Sequence, residues 1–186
     1  MNNLFDIACN FSSDRFDKDL DAVIERAKIN NVNKFLIVSA SLNDFEKTYN
    51  IYKSNLKEAF FSIGTHPHHA DEINEEQIKN MRRLVGEHNP SCVGETGLDF
   101  FRNLSSHDEQ TYAFQEQIKI AIDFNKPLYL HQRDSHSEFI KIISEYKDYL
   151  PKSVVHCFTG TQSELEDYID LGFYIGLTGW VCDERR

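Results

Sequence analysis

The chain has 186 residues, of which 40% are hydrophobic and 27% charged, and its formal net charge is −10. That length and balance describe one globular domain, residues 1–186, large enough to bury a sizeable core. The acidic excess excludes a broad basic footprint for duplex nucleic acid, so a polynucleotide would have to be held by metal and a few local groups. No apolar stretch is long enough to span a membrane, and the start, Met1 to Asp6, lacks a basic region and an apolar run. Cys9, Cys92, Cys157 and Cys182 form no Cys-x-x-Cys pair and read as reduced thiols, and with no such segment the expected location is the cytoplasm.

Leu4 to Cys9 reads as a first strand. Phe16 to Ile29 carries Leu20, Val23, Ile24 and Ala27 at helical spacing. Lys34 to Ala40 is a continuous apolar run, as expected of a strand covered on both faces. Ser41 and Asp44 cap a helix with Phe45, Tyr49 and Tyr52 inward. Strand three is Ala59 to Thr65, followed by a helix from Asn74 to Glu87 with Ile78, Met81 and Val85 buried.

Strand four, Cys92-Val93-Gly94, ends at Glu95. Ser106 and Glu109 box the start of a helix bearing Phe114, Ile118, Ala121 and Ile122, which Asn125-Lys126-Pro127 stops. Strand five runs from Pro127 to His131. Ser135 with Glu138, and Thr161 with Glu164, are expected to box two further helices, the first with Phe139, Ile142, Ile143 and Tyr146 inward, the second with Leu165, Tyr168 and Ile169. Between them strand six, Ser153 to His156, follows Pro151, and Phe173 to Thr178 is strand seven after Gly172.

Strict alternation of strand and helix with short connections calls for a parallel sheet with right-handed crossovers. A complete (β/α)8 barrel takes roughly 200 residues or more, so the expectation is an α/β, TIM-like barrel that lacks its last helix-strand-helix. A doubly wound open sheet is the alternative, disfavoured because no Gly-rich phosphate loop follows strand one and polar residues end several strands rather than one pair.

Those strand ends carry the chemistry. Parallel barrel strands deliver their C-terminal ends to one face, and three of them end in Glu95, His131 and His156. A carboxylate and two imidazoles meeting there make a metal site, suited to zinc, manganese or iron, or to magnesium with water. Period-two alternation turns Val93, Tyr129 and Val154 inward together with these ligands. The plain alternative for any one of them is a satisfied buried polar residue. His66, in Thr65-His66-Pro67-His68-His69, sits where it can hold a phosphate or the metal. Arg133 can clamp a phosphate oxygen with its fork of donors. Asp134 reads as a turn residue and His69 as solvated, while His68 reads either way. Asp99 and Arg102 stand at the mouth, and His88, His107 and His136 receive no role.

Five motifs then stand in a familiar order: Phe5-Asp6-Ile7-Ala8-Cys9-Asn10, Gly64-Thr65-His66-Pro67-His68, Gly94-Glu95-Thr96-Gly97-Leu98-Asp99, Pro127 to Asp134, and His156-Cys157-Phe158-Thr159-Gly160-Thr161. With the tail from Tyr174 to Arg186 they cover essentially the whole chain, which resembles the TatD family of metal-dependent deoxyribonucleases. The resemblance implies a distorted α/β barrel of the amidohydrolase kind and hydrolysis of DNA, often from an end, with a divalent metal. It implies that Glu95 is a shared carboxylate ligand, that His131 and His156 are the later histidine ligands, and that His66 lies near the scissile phosphate. Two departures follow. Ala8 and Asn10 stand where many relatives have His-x-His, implying an altered first metal site with Asp6 or Asn10 an indirect participant. The family's last aspartate, a further ligand and base on strand eight, falls beyond Arg186, implying a C-terminally shortened chain.

The expected function is hydrolysis of DNA phosphodiester bonds at single-stranded ends by a monomer, with His66 and Arg133 as catalytic residues and Glu95, His131 and His156 holding one or two divalent ions, magnesium first and manganese or zinc next. The rivals are an amide or lactone hydrolase on the same metal site, and a non-catalytic remnant whose open sheet edges and missing ligand leave it less stable and less active than a longer chain.

Overall fold

A computed structural model describes residues 3–54, 57 and 59–184. Its strands are β1 (Leu4–Cys9), β2 (Val32–Ile37), β3 (Ala59–Ile63), β4 (Cys92–Asp99), β5 (Leu128–Arg133), β6 (Val154–Val155) and β7 (Tyr174–Ile175). Between them run α1 (Leu20–Ile29), α2 (Phe45–Lys53), α3 (Glu75–His88), α4 (His107–Asp123), α5 (His136–Tyr146) and α6 (Gln162–Asp170). All seven strands are parallel and lie in chain order, each bonded to the next. A sheet wound in one direction has no switch point, which rules out the doubly wound alternative. The sheet curls into an incomplete barrel. Among the described residues β1 pairs only with β2 and β7 only with β6, and a cleft of about 520 Å³ lies between β1 and residues 176–179.

The curled sheet has two apolar faces. Inside it, Leu36, Val38, Cys92 and Tyr129 pack together with Ile7, Phe60 and Val154. Outside it, Phe61, Ile63, Val93, Leu98, Leu128 and Leu130 meet the helix stripes, including Met81 and Val85 of α3, Phe114 and Ile118 of α4, and Phe139 and Ile143 of α5. Each such side chain taken fully out of water contributes about 1.5–3 kcal/mol. Tyr129 and Val154 face inward as alternation requires, but Val93 faces the helices. The register of β4 against β5 shifts between Gly94 and Thr96, so period two does not carry from Val93 to Glu95. Strand β4 also continues past Glu95 to Asp99 rather than ending there.

Local signals hold at most helix starts. The boxes Ser41 with Asp44, Ser106 with Glu109, and Thr161 with Glu164 all form, the first opening on a single 3₁₀ turn ahead of α2. The box at Ser135 does not form: its hydroxyl donates instead to the Leu98 carbonyl at 3.1 Å, tying α5 to β4. Leu4 and Phe5 of β1 are 55% and 45% exposed, as the expected open edge leaves them, since no described strand pairs with the far side of β1. Ile169, expected inward on α6, is exposed. The four cysteines are free thiols, with Cys9 and Cys92 buried. No helix among the described residues is long and apolar enough to cross a membrane.

Candidate metal centre

The C-terminal strand ends converge as the parallel topology demands. Glu95 is the hub, and its Oε1 receives three imidazoles: His156 Nε2 at 2.6 Å, His131 Nδ1 at 3.1 Å and His66 Nε2 at 3.3 Å. Four strand-end segments, those of β3, β4, β5 and β6, thus supply one buried cluster. It forms part of the wall of a cavity of about 420 Å³, which Asn10, Ser12 and Ser13 line from the loop after β1. The close approach of β3 and β4 beneath it needs glycine. A Cβ at Gly64 would collide with the Gly94 backbone, and Gly94 itself has a positive φ of 139° against the Tyr129 carbonyl.

Each imidazole is held differently. His66 caps the 3₁₀ turn Pro67–Glu72, and its Nδ1 accepts the His68 N–H at 3.1 Å. That acceptor role puts the proton of the neutral ring on Nε2, facing Glu95. Burial keeps His66 below the ordinary histidine range despite the pull of Glu95. His131 is pinned between two acids, Nδ1 on Glu95 and Nε2 on Asp99 Oδ2 at 3.2 Å. Burial opposes its charge, but the Asp99 and Glu95 hydrogen bonds outweigh burial and lift it to about 9. His156 stacks on Tyr129, with ring centroids 4.7 Å apart, and its Nδ1 is buried without a partner. Burial would raise the Glu95 carboxyl, yet the field of His156 and the hydrogen bonds of its three imidazoles hold it well below the usual carboxylate range.

Two residues given little weight in the sequence join the site. Asp99, 1% exposed, accepts His68 Nε2 at 2.8 Å as well as His131 on Oδ2, and its Oδ1 takes the backbone N–H groups of Phe101 and Arg102 at 3.1 and 2.9 Å. Burial acts against this carboxylate, and the His131 bond with the loop N–H groups overcomes it and keeps it ionised. Behind these ends, α4 presents two fully buried glutamines. Gln117 bonds both backbone groups of Thr65, and Gln110 accepts the Asp99 N–H at 2.8 Å and donates to its carbonyl at 3.2 Å. Their signal was a pair of amides spaced seven residues apart on the same stripe as Phe114.

The other expected residues lie around the cluster. Arg133 is outside the cavity wall, its guanidinium carbon 3.9 Å from the Phe101 ring centroid. Asp6 accepts the Ala8 N–H at 3.0 Å and lines the cleft beside His156. His69 pairs with Glu72 at the surface, and His136 bridges Tyr168 and Asp167.

The donor set fits a divalent cation. Ligand atoms of His66, Glu95 and His131 lie within 4.8 Å of one another, and His156 reaches the same carboxylate oxygen. One hard oxygen with borderline nitrogens in a buried cluster is the chemistry such an ion selects. His131 also has the orienting carboxylate, Asp99, that a ligating imidazole needs on its other nitrogen.

Comparison with known proteins agrees with this fold. The chain is 41% identical over 183 residues to the 3′-5′ ssDNA/RNA exonuclease TatD of Cronobacter sakazakii, covering 98% of this chain and 69% of that protein. It is 39% identical to the protein of the same name from Pantoea ananatis, covering 98% and 70%. Among solved structures, a TatD homologue from Escherichia coli superposes with a TM-score of 0.91 at 24% identity, covering 98% of this chain and 70% of that one. A TatD family hydrolase from Entamoeba histolytica gives 0.86 at 28% identity, over 96% and 66%. With the family model for TatD related DNases matching residues 5–186, the chain belongs to the TatD family.

Proposed function

We propose that this chain is a metal-dependent deoxyribonuclease that removes nucleotides from single-stranded DNA ends. The observation that carries the reading is the convergence of three imidazole nitrogens on one buried oxygen of Glu95, in a member of a DNase family. The names borne by its relatives favour release from the 3′ end. The net charge of −10 fits an enzyme that grips an end at a few points rather than along a duplex. Four thiols without disulfides support a reducing compartment such as the cytoplasm.

Glu95, His131 and His156 would hold the ion, magnesium first and manganese or zinc next. When bound, the ion supplies Lewis acidity and a water acidified towards neutral pH. The residues do the rest. His131 must give up one proton to become a ligand; with Nε2 kept on Asp99, Nδ1 is the nitrogen freed. His66 lies within ligand reach, but its Nδ1 is engaged and its proton sits on Nε2, so it serves better as a donor to a non-bridging phosphate oxygen. Its neutrality lets it donate without the cost of burying a second charge. Arg133 lies outside the cavity wall over Phe101, and would reach the same phosphate only by swinging off that ring. Both donors strengthen as charge builds on the phosphoryl oxygens during attack and departure of the 3′ oxygen.

The test is a single-stranded oligonucleotide incubated with Mg²⁺ or Mn²⁺, with EDTA and with Glu95→Ala. Nucleotide release should vanish in both controls. Release that survives both overturns the reading.

A further inference from the structure

We propose that Phe101, backed by Arg133, is a stacking seat for a nucleobase of a single-stranded substrate; this rests on the nuclease reading above. Phe101 is 58% exposed, a phenyl ring available to a ligand beside the candidate site. One face of the ring carries the Arg133 guanidinium at 3.9 Å, and the residue as a whole keeps more than half of its surface in solvent. A base added to that pair meets an aromatic plane and a delocalised cation together, the combination that binds single strands without reading sequence.

The seat is built into the candidate site. Asp99 accepts the Phe101 and Arg102 N–H groups on one oxygen and the His131 and His68 rings on the other. The backbone that carries the phenyl ring is therefore tied to the cluster through one carboxylate. Arg133 stands two residues after His131 on β5 and pairs with Asp99 in register, and its carbonyl accepts the Phe100 N–H at 2.9 Å. The rest of the loop is pinned as well. Phe100 stacks on His107 at 3.7 Å, and Asn103 donates to the Phe100 carbonyl at 2.9 Å. Little ordering remains to be done when a ligand arrives.

Charge gives the seat a purpose. An acidic protein repels a polyanion, and few cations near the cavity compensate. Stacking is an attraction that neither the net charge nor salt removes, and duplex ends, with their bases already paired, benefit least.

The experiment is titration of the chain, in EDTA to prevent turnover, into a single-stranded oligonucleotide with 2-aminopurine at its 3′ end. Phe101→Leu keeps an apolar side chain and should weaken binding about ten-fold and abolish quenching of the base, while Phe101→Trp should bind at least as well as the parent. Thermal melts confirm that both variants fold. Equal affinity and quenching for Phe101→Leu, or no binding by the parent, overturns the seat. Binding that depends on Phe101 with no nucleotide release in Mn²⁺ supports the seat and removes the nuclease reading instead.

Discussion

Gln117 grips both backbone polar groups of Thr65: its Oε1 accepts the N–H at 2.8 Å and its Nε2 donates to the carbonyl at 3.0 Å. Both residues are at most 1% exposed, so water cannot replace either bond. The residue after Thr65 is His66. Gln117→Leu therefore strands two buried backbone groups and releases the strand end that aims His66 at Glu95. Leaving each group unpaired costs about 1–3 kcal/mol, so a loss of roughly 2–6 kcal/mol is expected in chemical denaturation. A loss below about 1 kcal/mol would mean that Thr65 finds other partners.

Gly64→Ala probes the floor of the site. The added Cβ would strike the Gly94 backbone where neither strand can move away cheaply. Overpacking costs about 1–3 kcal/mol, and the backbone clash at Gly64 puts this position at the upper end. Because Glu95 follows Gly94 directly, binding of Mn²⁺ should fall along with the denaturation midpoint. Wild-type metal affinity in a destabilised Gly64→Ala protein would show that the strand approach does not set the position of Glu95.

Much of this was open to reading from the sequence, and the gaps have physical causes. Apolar runs and capping pairs are local, so the strands of β4, β5 and β6 and the starts of α4 and α6 could be placed from residue type and spacing. The inward turn of Tyr129 and Val154 followed from alternation alone. Val93 defeated that rule because the register shift after Gly94 is a backbone event that no side-chain pattern records. Gln110 and Gln117 carried no readable role in the sequence, since their partners, Asp99 and Thr65, are distant from them. Ser135 had the right spacing for a box, but a nearer acceptor, the Leu98 carbonyl, won. Asp99 could be read only as a residue at the mouth, because its contact with His131 joins positions distant in sequence.

The lifted His131 makes the metal-free protein sensitive to alkali. A group whose folded pKa is raised adds stability that is complete below its unfolded value and is lost as pH climbs through the folded value. For His131 that window runs from about 6.5 to about 9. Glu95 is depressed, so its contribution is complete above its ordinary value of 4.5 and fades as pH falls below it. In EDTA, the denaturation midpoint should be highest between these limits and decline towards pH 9. His131→Gln should flatten the alkaline decline; an unchanged decline would place its origin elsewhere.

Metal loading offers the complementary measurement, with Asp99→Asn as its lever. If the ion takes Nδ1 of His131, loading at pH 7 must expel about one proton, because the free ring is charged below about 9. Calorimetry in two buffers of different ionisation enthalpy reads that proton directly. Asp99→Asn keeps an oxygen for the Phe101 and Arg102 N–H groups but removes the negative charge beside Nε2. His131 should then titrate closer to the ordinary histidine value, and the pH above which loading no longer expels a proton should fall from about 9 towards neutrality. Affinity for the ion should weaken about 10- to 100-fold, as it does when an orienting carboxylate is lost. Proton release with the same pH dependence in parent and variant would mean that His131 is not the group the ion displaces a proton from, and would move the metal towards His156 and the side of Glu95 away from Asp99.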